Sequence, residues 1–296
     1  MNTQHLQYII EIERTRSISQ AAENLFLGQP NLSRILHDLE DSLGFRVFER
    51  TSRGVRPTER GAKFLQHARN VLREMEYIDA LGPRHAVANR LRVCIPRSAK
   101  TLAMTAAYIA ELDARGGLDA QIRECHARRT LEMLSSGEAE IGIIRFRSEY
   151  RDYFEEQTAQ RELSFQLIGK YKYRLLFPAD HPLAQKKTIR MEDLEGYTEI
   201  VHGDNFRIHS KQEEAQRRKI HAVDRLAQFS LLETIWGAYM WSQEQPKRCL
   251  ERWHLVEKTC ENNPVVYHDA LIYNPQYVVT DIEAGFIRHV LEHTQK

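Results

Sequence analysis

Residues 17–44 read SISQAAENLFLGQPNLSRILHDLEDSLG, and this stretch decides the fold of the amino-terminal region. Ser17 followed three residues later by Gln20 has the spacing of a capping box, which predicts the start of a helix. Pro30 is favourable only in the first turn of a second helix, which Gly44 ends. The stretch therefore predicts two short helices joined by a tight turn.

The second predicted helix has one apolar and one polar side. Its leucines recur at helical spacing and mark the side that is buried. The other side carries residue types that read DNA, because Gln and Asn pair with adenine and Arg pairs with guanine. A solvated polar face on an ordinary helical hairpin is the alternative. We predict a recognition helix with DNA-contacting residues Gln29, Pro30, Asn31, Ser33 and Arg34, joined by Ser17 at the start of the preceding helix.

The next segment, FRVFERTSRGVRP at residues 45–57, carries arginines around a Ser-Arg-Gly turn. A short hairpin with arginines at its tip is a wing, whose guanidinium groups lie on phosphates or in a narrow minor groove. An ordinary surface loop needs no such cluster. We predict that Arg50, Arg53 and Arg56 contact DNA.

The composition of the 296-residue chain is typical of a globular protein with two or three domains. Its net charge of +1 shows no general preference for polyanions, so nucleic-acid binding has to come from a local arrangement. The four cysteines lie far apart in the sequence, and no disulfide is expected. We find no signal peptide and no membrane-spanning run, which predicts a cytoplasmic protein without a membrane partner.

A long helix is predicted after the wing, with Thr58 as its cap and a stop at residues 81–83, followed by a polar linker at 84–90. Its apolar residues step by three and four, which is the pattern of a heptad seam. Either the helix lies on its own domain or it pairs with a second copy, and symmetry favours pairing because it supplies a second half-site. The seam consists of Gly61, Phe64, Leu65, Ala68, Val71, Leu72, Met75 and Ile78.

Many positions up to Gly61 follow the order and spacing of one family: Leu6, Tyr8-Ile9, Ser17-Ile18, Ala21-Ala22, Gln29-Pro30, Leu32-Ser33, Leu39-Glu40, Leu43-Gly44, Phe48-Glu49-Arg50, Val55, Thr58 and Gly61. In these positions the chain resembles the DNA-binding end of LysR-type transcriptional regulators. It departs from that pattern at Arg16, where the family usually has Gly, and at Gly28, where Ser is usual. Without the Ser hydroxyl, capping of the recognition helix falls to the backbone or to Gln29.

From Leu91 onwards, strand and helix patterns alternate. Strands are predicted at 91–96, 118–124 and 141–145, and helices at 100–114 and 130–136. This alternation predicts a mostly parallel sheet with helices on both faces. The region also resembles, more loosely, the family's effector domain, a two-lobed fold similar to periplasmic binding proteins.

The resemblance implies an α/β chain overall, with an all-α winged helix-turn-helix, a long linker helix and a two-lobed α/β effector-binding domain. It further implies a homotetramer built as a dimer of dimers on a double-stranded DNA operator with an interrupted palindrome. The expected boundaries are 1–58 for the DNA-binding domain, 59–90 for the linker helix and hinge, and 91–296 for the effector-binding domain, with lobe one at 91–164 and 266–296 and lobe two at 165–265.

In such a fold the ligand lies between the lobes, at the carboxyl ends of the strands. Hydroxyl groups, free N–H groups and a lysine follow the first strand, and together they suit an anion. A cationic pocket favours a small carboxylate or a similar metabolite. For any single residue, a place in a surface loop is the alternative. The predicted effector-binding residues are Ser98, Lys100, Thr101, His126, Arg128, Arg145, His202 and Gly203.

No enzyme motif competes well with this interpretation. His289, Glu292 and His293 have inverted zinc-protease spacing, but a solvated terminal helix is favoured because no third ligand follows. His268-Asp269 has no Ser or Cys nucleophile in a suitable context. We predict no catalytic residue, metal or cofactor. The sequence predicts a transcriptional regulator controlled by a small anionic molecule, and the alternative is a cytoplasmic ligand-binding protein or metabolic enzyme with an incidental helical hairpin.

Overall fold

The computed structural model describes residues 2–52, 54–80, 89–114, 116, 118–202, 218–275 and 280–294. Two predicted site residues, Arg53 and Gly203, lie outside these residues, as do the predicted helix stop and most of the predicted linker. The chain divides into two compact units: an amino-terminal unit of Met1–Arg90 with Ser135–Glu138, and a carboxyl-terminal unit of Leu91–Leu134 with Ala139–Lys296. Among the helices described, we find none long and apolar enough to cross a membrane.

The amino-terminal unit contains the predicted helix-turn-helix, hairpin and long helix. Its elements are α1 (Thr3–Thr15), α2 (Ile18–Asn24), α3 (Gln29–Leu43), β1 (Phe48–Thr51), β2 (Gly54–Pro57) and α4 (Glu59–Ala80). One apolar core joins them, formed by fully buried side chains from α1, α2, α3, the hairpin and α4. The helix-turn-helix and wing predicted from the sequence are confirmed.

The start of α2 keeps only half of the predicted capping box. Ser17 Oγ accepts a hydrogen bond from the Gln20 backbone N–H at 3.3 Å, as the spacing predicts. The Gln20 side chain does not return to the cap but donates to Glu23 and Asn24. The Ser17 N–H instead donates to Thr15 Oγ1 at 3.4 Å. Because that N–H already has an acceptor, the reciprocal half of the box is not needed.

The corner between α1 and α2 contains Arg16, a departure from the family pattern. Arg16 has φ 55 and ψ 20, in the left-handed region where Gly is favoured because it has no Cβ. The Arg16 carbonyl accepts a hydrogen bond from Val55 N–H at 3.0 Å. At Gly54, which has φ +110, a Cβ would lie 2.4 Å from that carbonyl oxygen. This corner therefore contacts the wing at the start of its second strand, next to the turn.

The predicted seam of α4 divides into two halves. At Gly61 a Cβ would lie 1.9 Å from the Val47 carbonyl oxygen, so α4 runs directly against its own domain. Leu65 and Ala68 are buried in the same place. Phe64 and Leu72 are half-buried, and three further seam residues are exposed: Val71, Met75 and Ile78. The first alternative, packing on the chain's own domain, therefore describes the first half of the helix.

The carboxyl-terminal unit contains two five-stranded sheets. Its first part runs β3 (Asn89–Ile95), α5 (Ala99–Asp113), β4 (Leu118–Glu124), α6 (Ala127–Ser135), β5 (Ile141–Arg147), α7 (Arg151–Ala159) and β6 (Gln166–Tyr171). The second runs β7 (Arg174–Pro178), β8 (Thr198–His202), β9 (Lys219–Ala222), α8 (Arg225–Thr234), β10 (Ala238–Ser242), α9 (Lys247–Arg252) and β11 (Leu255–Lys258). The chain returns through β12 (Tyr267–Tyr273) and ends with α10 (Asp281–Thr294).

The predicted strands β3 and β5 are parallel, as the alternation of strand and helix predicts, but each sheet also contains a strand that runs antiparallel to its neighbours, β12 in the first sheet and β7 in the second. The first has the order β4-β3-β5-β12-β6, with β3 and β5 parallel but β12 antiparallel to both β5 and β6. The second has the order β11-β7-β10-β8-β9, with β7 antiparallel to both neighbours and the pairs of β8 parallel. β6 is the strand by which the chain leaves the first lobe, and β12 is the strand by which it returns at the same edge. The two strands therefore run in opposite directions, which explains the antiparallel β6–β12 pair.

The chain crosses between the lobes later than the predicted boundary between residues 164 and 165. Residues 166–171 still pair with β12 in the first sheet, and the second sheet begins at Arg174. Lys172 Nζ donates to the Asn263 carbonyl at 2.7 Å, and Asn263 Nδ2 donates to the Tyr173 carbonyl at 3.3 Å. These bonds tie the outgoing and returning segments together.

Candidate DNA-binding surface and effector cleft

The polar side of α3 is exposed to solvent. Leu32, Leu36 and Leu39 are buried against the core and fix the helix. On the opposite side, the exposed residues are Gln29, Pro30, Asn31, Arg34, His37, Asp38 and Asp41, and Ser33 is half-buried. The face that carries the side chains predicted to read bases is therefore the face that solvent reaches.

Hydrogen bonds on this surface join side chains of the same helix. Gln29 Nε2 donates to Ser33 Oγ at 2.9 Å, and Arg34 Nη2 donates to Asn31 Oδ1 at 3.2 Å. Bonds between exposed side chains contribute little to stability, so these groups can exchange partners for base edges at low cost. These side chains are therefore positioned for contact with DNA and are not held by strong hydrogen bonds within the protein.

The start of α3 is capped by its backbone alone. Gly28 occupies the N-cap position, and no side chain bonds to the first turn. Its carbonyl accepts from the N–H groups of Asn31 and Leu32, at 3.0 and 3.2 Å. Since Pro30 has no N–H, the first turn keeps the Gln29 N–H and the positive end of the helix dipole, which suit a phosphate.

The wing pairs Phe48–Thr51 with Gly54–Pro57 in an antiparallel hairpin. Arg56 Nε donates to Glu49, so its charge is shared across the hairpin. The Arg50 side chain is exposed and makes no hydrogen bond or ion pair with any residue in the described ranges. The Arg50 guanidinium is consequently able to contact a phosphate.

In the carboxyl-terminal unit, a buried ion pair lies where the two lobes meet. Arg145 of β5 donates through Nε and Nη2 to the two carboxylate oxygens of Asp269 in β12, both at 2.8 Å. Their side chains are 8% and 9% exposed. Arg145 Nη2 also donates to Gln243 Oε1 at 2.8 Å, and Gln243 follows β10 in the second lobe. Tyr171 donates to Asp269 Oδ1 at 2.8 Å.

This network perturbs the acidity of its members. Burial lowers the pKa of Arg145, but the charge of Asp269 and the neighbouring Tyr173 outweigh burial and raise it well above its ordinary value. Burial and the negative charge of Asp269 raise the pKa of Tyr171. Arg145 therefore stays charged and Tyr171 stays protonated, and with Asp269 they form a polar cluster where the two lobes meet.

Two further contacts join the lobes. Ser98, the N-cap of α5, donates from Oγ to Gln243 Oε1 at 2.5 Å while accepting from Thr101 N–H at 3.2 Å. Arg97 Nη1 contacts the imidazole of His202, at the end of β8. The loop after β3 is thus joined to the second lobe by two polar contacts.

The predicted effector residues do not all reach this cluster. Ser98 and Arg145 meet at Gln243, and His202 meets Arg97. Lys100 is exposed at the start of α5. On the surface of the first lobe, His126 Nδ1 accepts from the Arg129 N–H, and Arg128 donates to the Tyr153 hydroxyl.

Sequence reasoning missed several members of the cluster. Asp269 was noticed only as part of a His-Asp pair, and the structure commits its carboxylate to Arg145. Gln243 follows a strand without any local feature that marks it. Arg97 and Tyr171 stand next to predicted elements, yet nothing in their immediate sequence reveals partners in other segments.

The zinc-like spacing near the carboxyl end of the chain has a structural explanation. His289 is buried on α10 with its ring 5.3 Å from that of Tyr108, and its Nε2 contacts the Met104 carbonyl at 3.1 Å. His293 Nδ1 contacts the His289 carbonyl within the helix. No group of three or more metal-binding side chains occurs among the residues that the structure describes.

Comparison with known proteins places both units in one family. The model for "Bacterial regulatory helix-turn-helix protein, lysR family" matches residues 3–62, and that for the "LysR substrate binding domain" matches residues 84–240. The regulator CysB of Burkholderia cenocepacia is 27% identical over 211 residues, which cover 70% of this chain and 64% of that protein. The hydrogen peroxide-inducible genes activator of Dickeya chrysanthemi is 26% identical over 198 residues, covering 66% of this chain and 62% of that protein.

These matches span less than two thirds of the length of either relative. In fold, the chain is similar to full-length LysG of Corynebacterium glutamicum with the effector arginine bound, with a TM-score of 0.66 at 14% identity over 100% of this chain and 98% of that one. The substrate-binding model alone covers more than half of the chain. The chain therefore belongs to the LysR family of bacterial helix-turn-helix regulators.

Proposed function

We propose that the protein is a cytoplasmic transcriptional regulator, not an enzyme, whose binding to an operator is controlled by a small anionic molecule held between the two lobes. The observation that carries the proposal is the orientation of α3, whose leucines are buried while Gln29, Asn31 and Arg34 are exposed. A helix fixed in this way can enter a major groove with its reading side outwards. We keep the domain organisation predicted from the sequence, with the lobe crossing moved to residues 172–173.

Base reading and backbone contact are assigned to different arginines. Arg34 lies on the reading side of α3 and belongs over a guanine, where loss of a bidentate contact costs about 1–3 kcal/mol at one position. Arg50 lies on the wing and belongs on a phosphate, which supplies affinity without sequence information. The two side chains therefore make separable predictions.

The test is a gel-shift titration on the promoter region beside the gene, over a range of salt concentrations. We expect Arg34→Ala to relax sequence preference, and Arg50→Ala to weaken binding to all sequences and to reduce the salt dependence. Arg252→Ala, an exposed arginine of the carboxyl-terminal unit, is the matched control and should leave binding unchanged. Equal and modest effects of Arg34→Ala and Arg50→Ala on random DNA would contradict the assigned roles.

We further propose that α4 pairs with α4 of a second copy, and that two such dimers form the tetramer. The support is the exposed row of Val71, Met75 and Ile78, which lies beyond the part of α4 that packs on its own domain. Spacing of three and four residues places these side chains on one face, as a helix pair requires.

Sedimentation of the full chain tests this pairing. Met75→Glu places a charge in the row and should shift the protein towards the monomer, because an unpaired charge in an apolar helix pair is unfavourable. Glu74→Gln, at the adjacent exposed position, should leave the assembly unchanged. An unaltered assembly in Met75→Glu would show that the exposed row is not the contact.

An anionic effector is supported by the charges of the cleft. Arg97, Arg145 and the N-terminus of α5 lie beside the contacts that join the lobes. A ligand that replaces those contacts shifts the population of lobe arrangements by its differential affinity for them. A change in the arrangement of paired chains then alters the spacing of recognition helices on DNA.

A further inference from the structure

Two of the four cysteines come together in the first lobe, although they lie far apart in the sequence. Cys94 belongs to β3, Cys125 directly follows β4, and these two strands are neighbours in the first sheet. The Cys125 N–H donates to the carbonyl of Ile95, the residue after Cys94, at 2.9 Å. Both cysteines are free thiols in this structure. Separation in the sequence is therefore no obstacle to a bond between them.

The two thiols share a third sulfur as their neighbour. Cys94 Sγ lies 3.5 Å from Met133 Sδ, and Cys125 Sγ lies 3.8 Å from the same atom. The Cys94 and Cys125 side chains also hydrogen-bond to each other. Met133 belongs to α6, whose buried side shares an apolar core with Cys94. The packing of α6 on the sheet thus holds two thiols in contact that the sequence does not connect.

The two cysteines differ in their access to solvent. Cys94 is completely buried, whereas Cys125 is half-buried. Cys125 also lies in the two-residue connection between β4 and α6 and not within a strand. A reagent from solution therefore meets the Cys125 thiol first, and the Cys94 thiol is positioned to react with whatever forms on Cys125.

The acidities of the two thiols differ in the same sense. The hydrogen bond from Cys94 lowers the pKa of Cys125 to about 7, and partial burial opposes it. Three positive charges add to the lowering: Arg129, Arg123 and Arg97. The hydrogen bond to Cys125 and burial raise the pKa of Cys94. At neutral pH, Cys125 therefore supplies a thiolate while Cys94 keeps its proton, and a thiol with a pKa near ambient pH is the best attacking thiol.

The other two cysteines do not combine these features. Cys249 is half-buried like Cys125, but burial raises its pKa. Cys260 is buried, burial raises its pKa, and its Sγ lies 3.6 Å from Asn262 Oδ1. Among the residues that the structure describes, neither thiol hydrogen-bonds to a second thiol. Cys249 thus provides an internal comparison of matched exposure.

We propose that Cys94 and Cys125 form an oxidation site, a dithiol that a hydroperoxide converts to a disulfide. In the first step the Cys125 thiolate attacks one oxygen of hydrogen peroxide, the O–O bond breaks, and Cys125 becomes a sulfenic acid as hydroxide leaves. In the second step the Cys94 sulfur attacks the Cys125 sulfur, and the S–S bond forms as the hydroxyl group leaves with the Cys94 proton as water. The two sulfur atoms lose two electrons in total, which the peroxide takes up.

Peptide mapping of the full chain tests the proposal. The reduced protein is freed of reductant, treated with a small molar excess of hydrogen peroxide, alkylated with N-ethylmaleimide and digested with trypsin. Trypsin cleaves after arginine and lysine, so Cys94 is released in peptide 93–97 (VCIPR) and Cys125 in peptide 124–128 (ECHAR). We expect mass spectrometry to find these two peptides joined by one disulfide, which dithiothreitol cleaves, while Cys249 and Cys260 are recovered alkylated.

Three variants separate the two steps. Cys249→Ser is the matched control and should form the linked peptide as the native protein does. Cys94→Ala blocks the second step, so Cys125 should remain a sulfenic acid that dimedone labels about tenfold or more above Cys249. Cys125→Ser should give no linked peptide. The linked peptide is measured in the native protein, so the test does not depend on the folding of Cys94→Ala.

Several results would overturn the proposal. One is recovery of peptides 93–97 and 124–128 in fully alkylated form after peroxide, and another is oxidation of Cys249 as fast as that of Cys125. A disulfide from Cys125 to any cysteine other than Cys94, or between two chains, also overturns the assigned pair. The measurement uses neither DNA nor effector, so a negative result leaves the regulator proposal standing. Absence of specific DNA binding, in turn, leaves the oxidation site standing.

Discussion

The side chains of the recognition surface and those of the cleft are held in opposite ways. On α3, Gln29 and Arg34 are exposed and bond only to neighbours on the same helix. In the cleft, Arg145 and Asp269 are buried, and their network draws on two lobes and four segments of the chain. The first set is positioned by the buried side of one helix, and the second by long-range contacts.

This difference matches the roles that we propose. Exposed side chains with weak hydrogen bonds to their own helix can replace those bonds with bonds to base edges at little cost in free energy. This suits a surface that contacts many DNA sequences before it binds the operator. A buried network changes as a unit, because any one unpaired member is unfavourable in a poorly solvated site. Such a cluster suits a switch that is stable in one arrangement of the lobes and yields only to a ligand that replaces its bonds.

The largest effect should come from breaking the buried pair. Asp269→Asn leaves the Arg145 guanidinium without a counter-charge, and we expect a loss of about 3–5 kcal/mol in the free energy of unfolding of the carboxyl-terminal unit. Urea denaturation of the full chain, followed with probes in each unit, measures this loss. Glu132→Gln is the matched control, since its pair with Arg129 is exposed and should contribute less than about 1 kcal/mol. If Asp269→Asn lowers the free energy of unfolding no more than Glu132→Gln does, the buried pair does not stabilise the carboxyl-terminal unit as we propose.

Adding one methyl group at Gly61 should destabilise the amino-terminal unit. In Gly61→Ala the new Cβ collides with the Val47 carbonyl, which cannot move without displacing the hairpin. We expect a loss of about 3 kcal/mol in the stability of the amino-terminal unit, with operator binding lost in proportion. Lys63→Ala, an exposed change two residues further along α4, should stay within about 0.5 kcal/mol. If Gly61→Ala lowers the stability of both units equally, the two regions do not fold as separate units.

The same contrast explains what the sequence could predict. The start and end of α3 depend on Gly28, Pro30 and Gly44, which act within a few residues of their own position. The partner of Arg145 is 124 residues away at Asp269, and its second contact is 98 residues away at Gln243. Local periodicity has no information about such pairs, because it reports which face of an element is buried and not what lies against that face.

The α4 helix and the sheets illustrate the same limit. The spacing of apolar residues by three and four is the same whether a helix packs on its own domain or on a second copy. In α4, Leu65 is buried against its own domain, whereas Met75 is exposed. The strands of the carboxyl-terminal unit were predicted near their observed positions as far as β5, and β3 and β5 are parallel as predicted, but the antiparallel return strand β12 was not predicted. Direction depends on where the chain crosses between lobes, which no single strand reveals.

The smallest effect should come from restoring the usual residue at the N-cap of α3. Gly28 has φ −70 and ψ 131, a conformation open to any residue, and a Cβ there would meet only Pro30 Cδ at 4.0 Å. Gly28→Ser adds a hydroxyl that can accept from the first turn, so we expect a gain of a few tenths of a kcal/mol, roughly 0.3, in stability. Melting temperatures at several salt concentrations measure it.

The opposite substitution at the N-cap of the preceding helix, α2, provides the control. Ser17→Gly removes the acceptor of the Gln20 N–H and should lower stability by a similar few tenths of a kcal/mol.

On DNA, the Gly28→Ser hydroxyl lies at the helix end that suits a phosphate, so affinity should rise by at most about threefold without a change in sequence preference. A change in preference would mean that residue 28 takes part in reading bases, which would extend the recognition surface beyond the polar side of α3 into the turn before it.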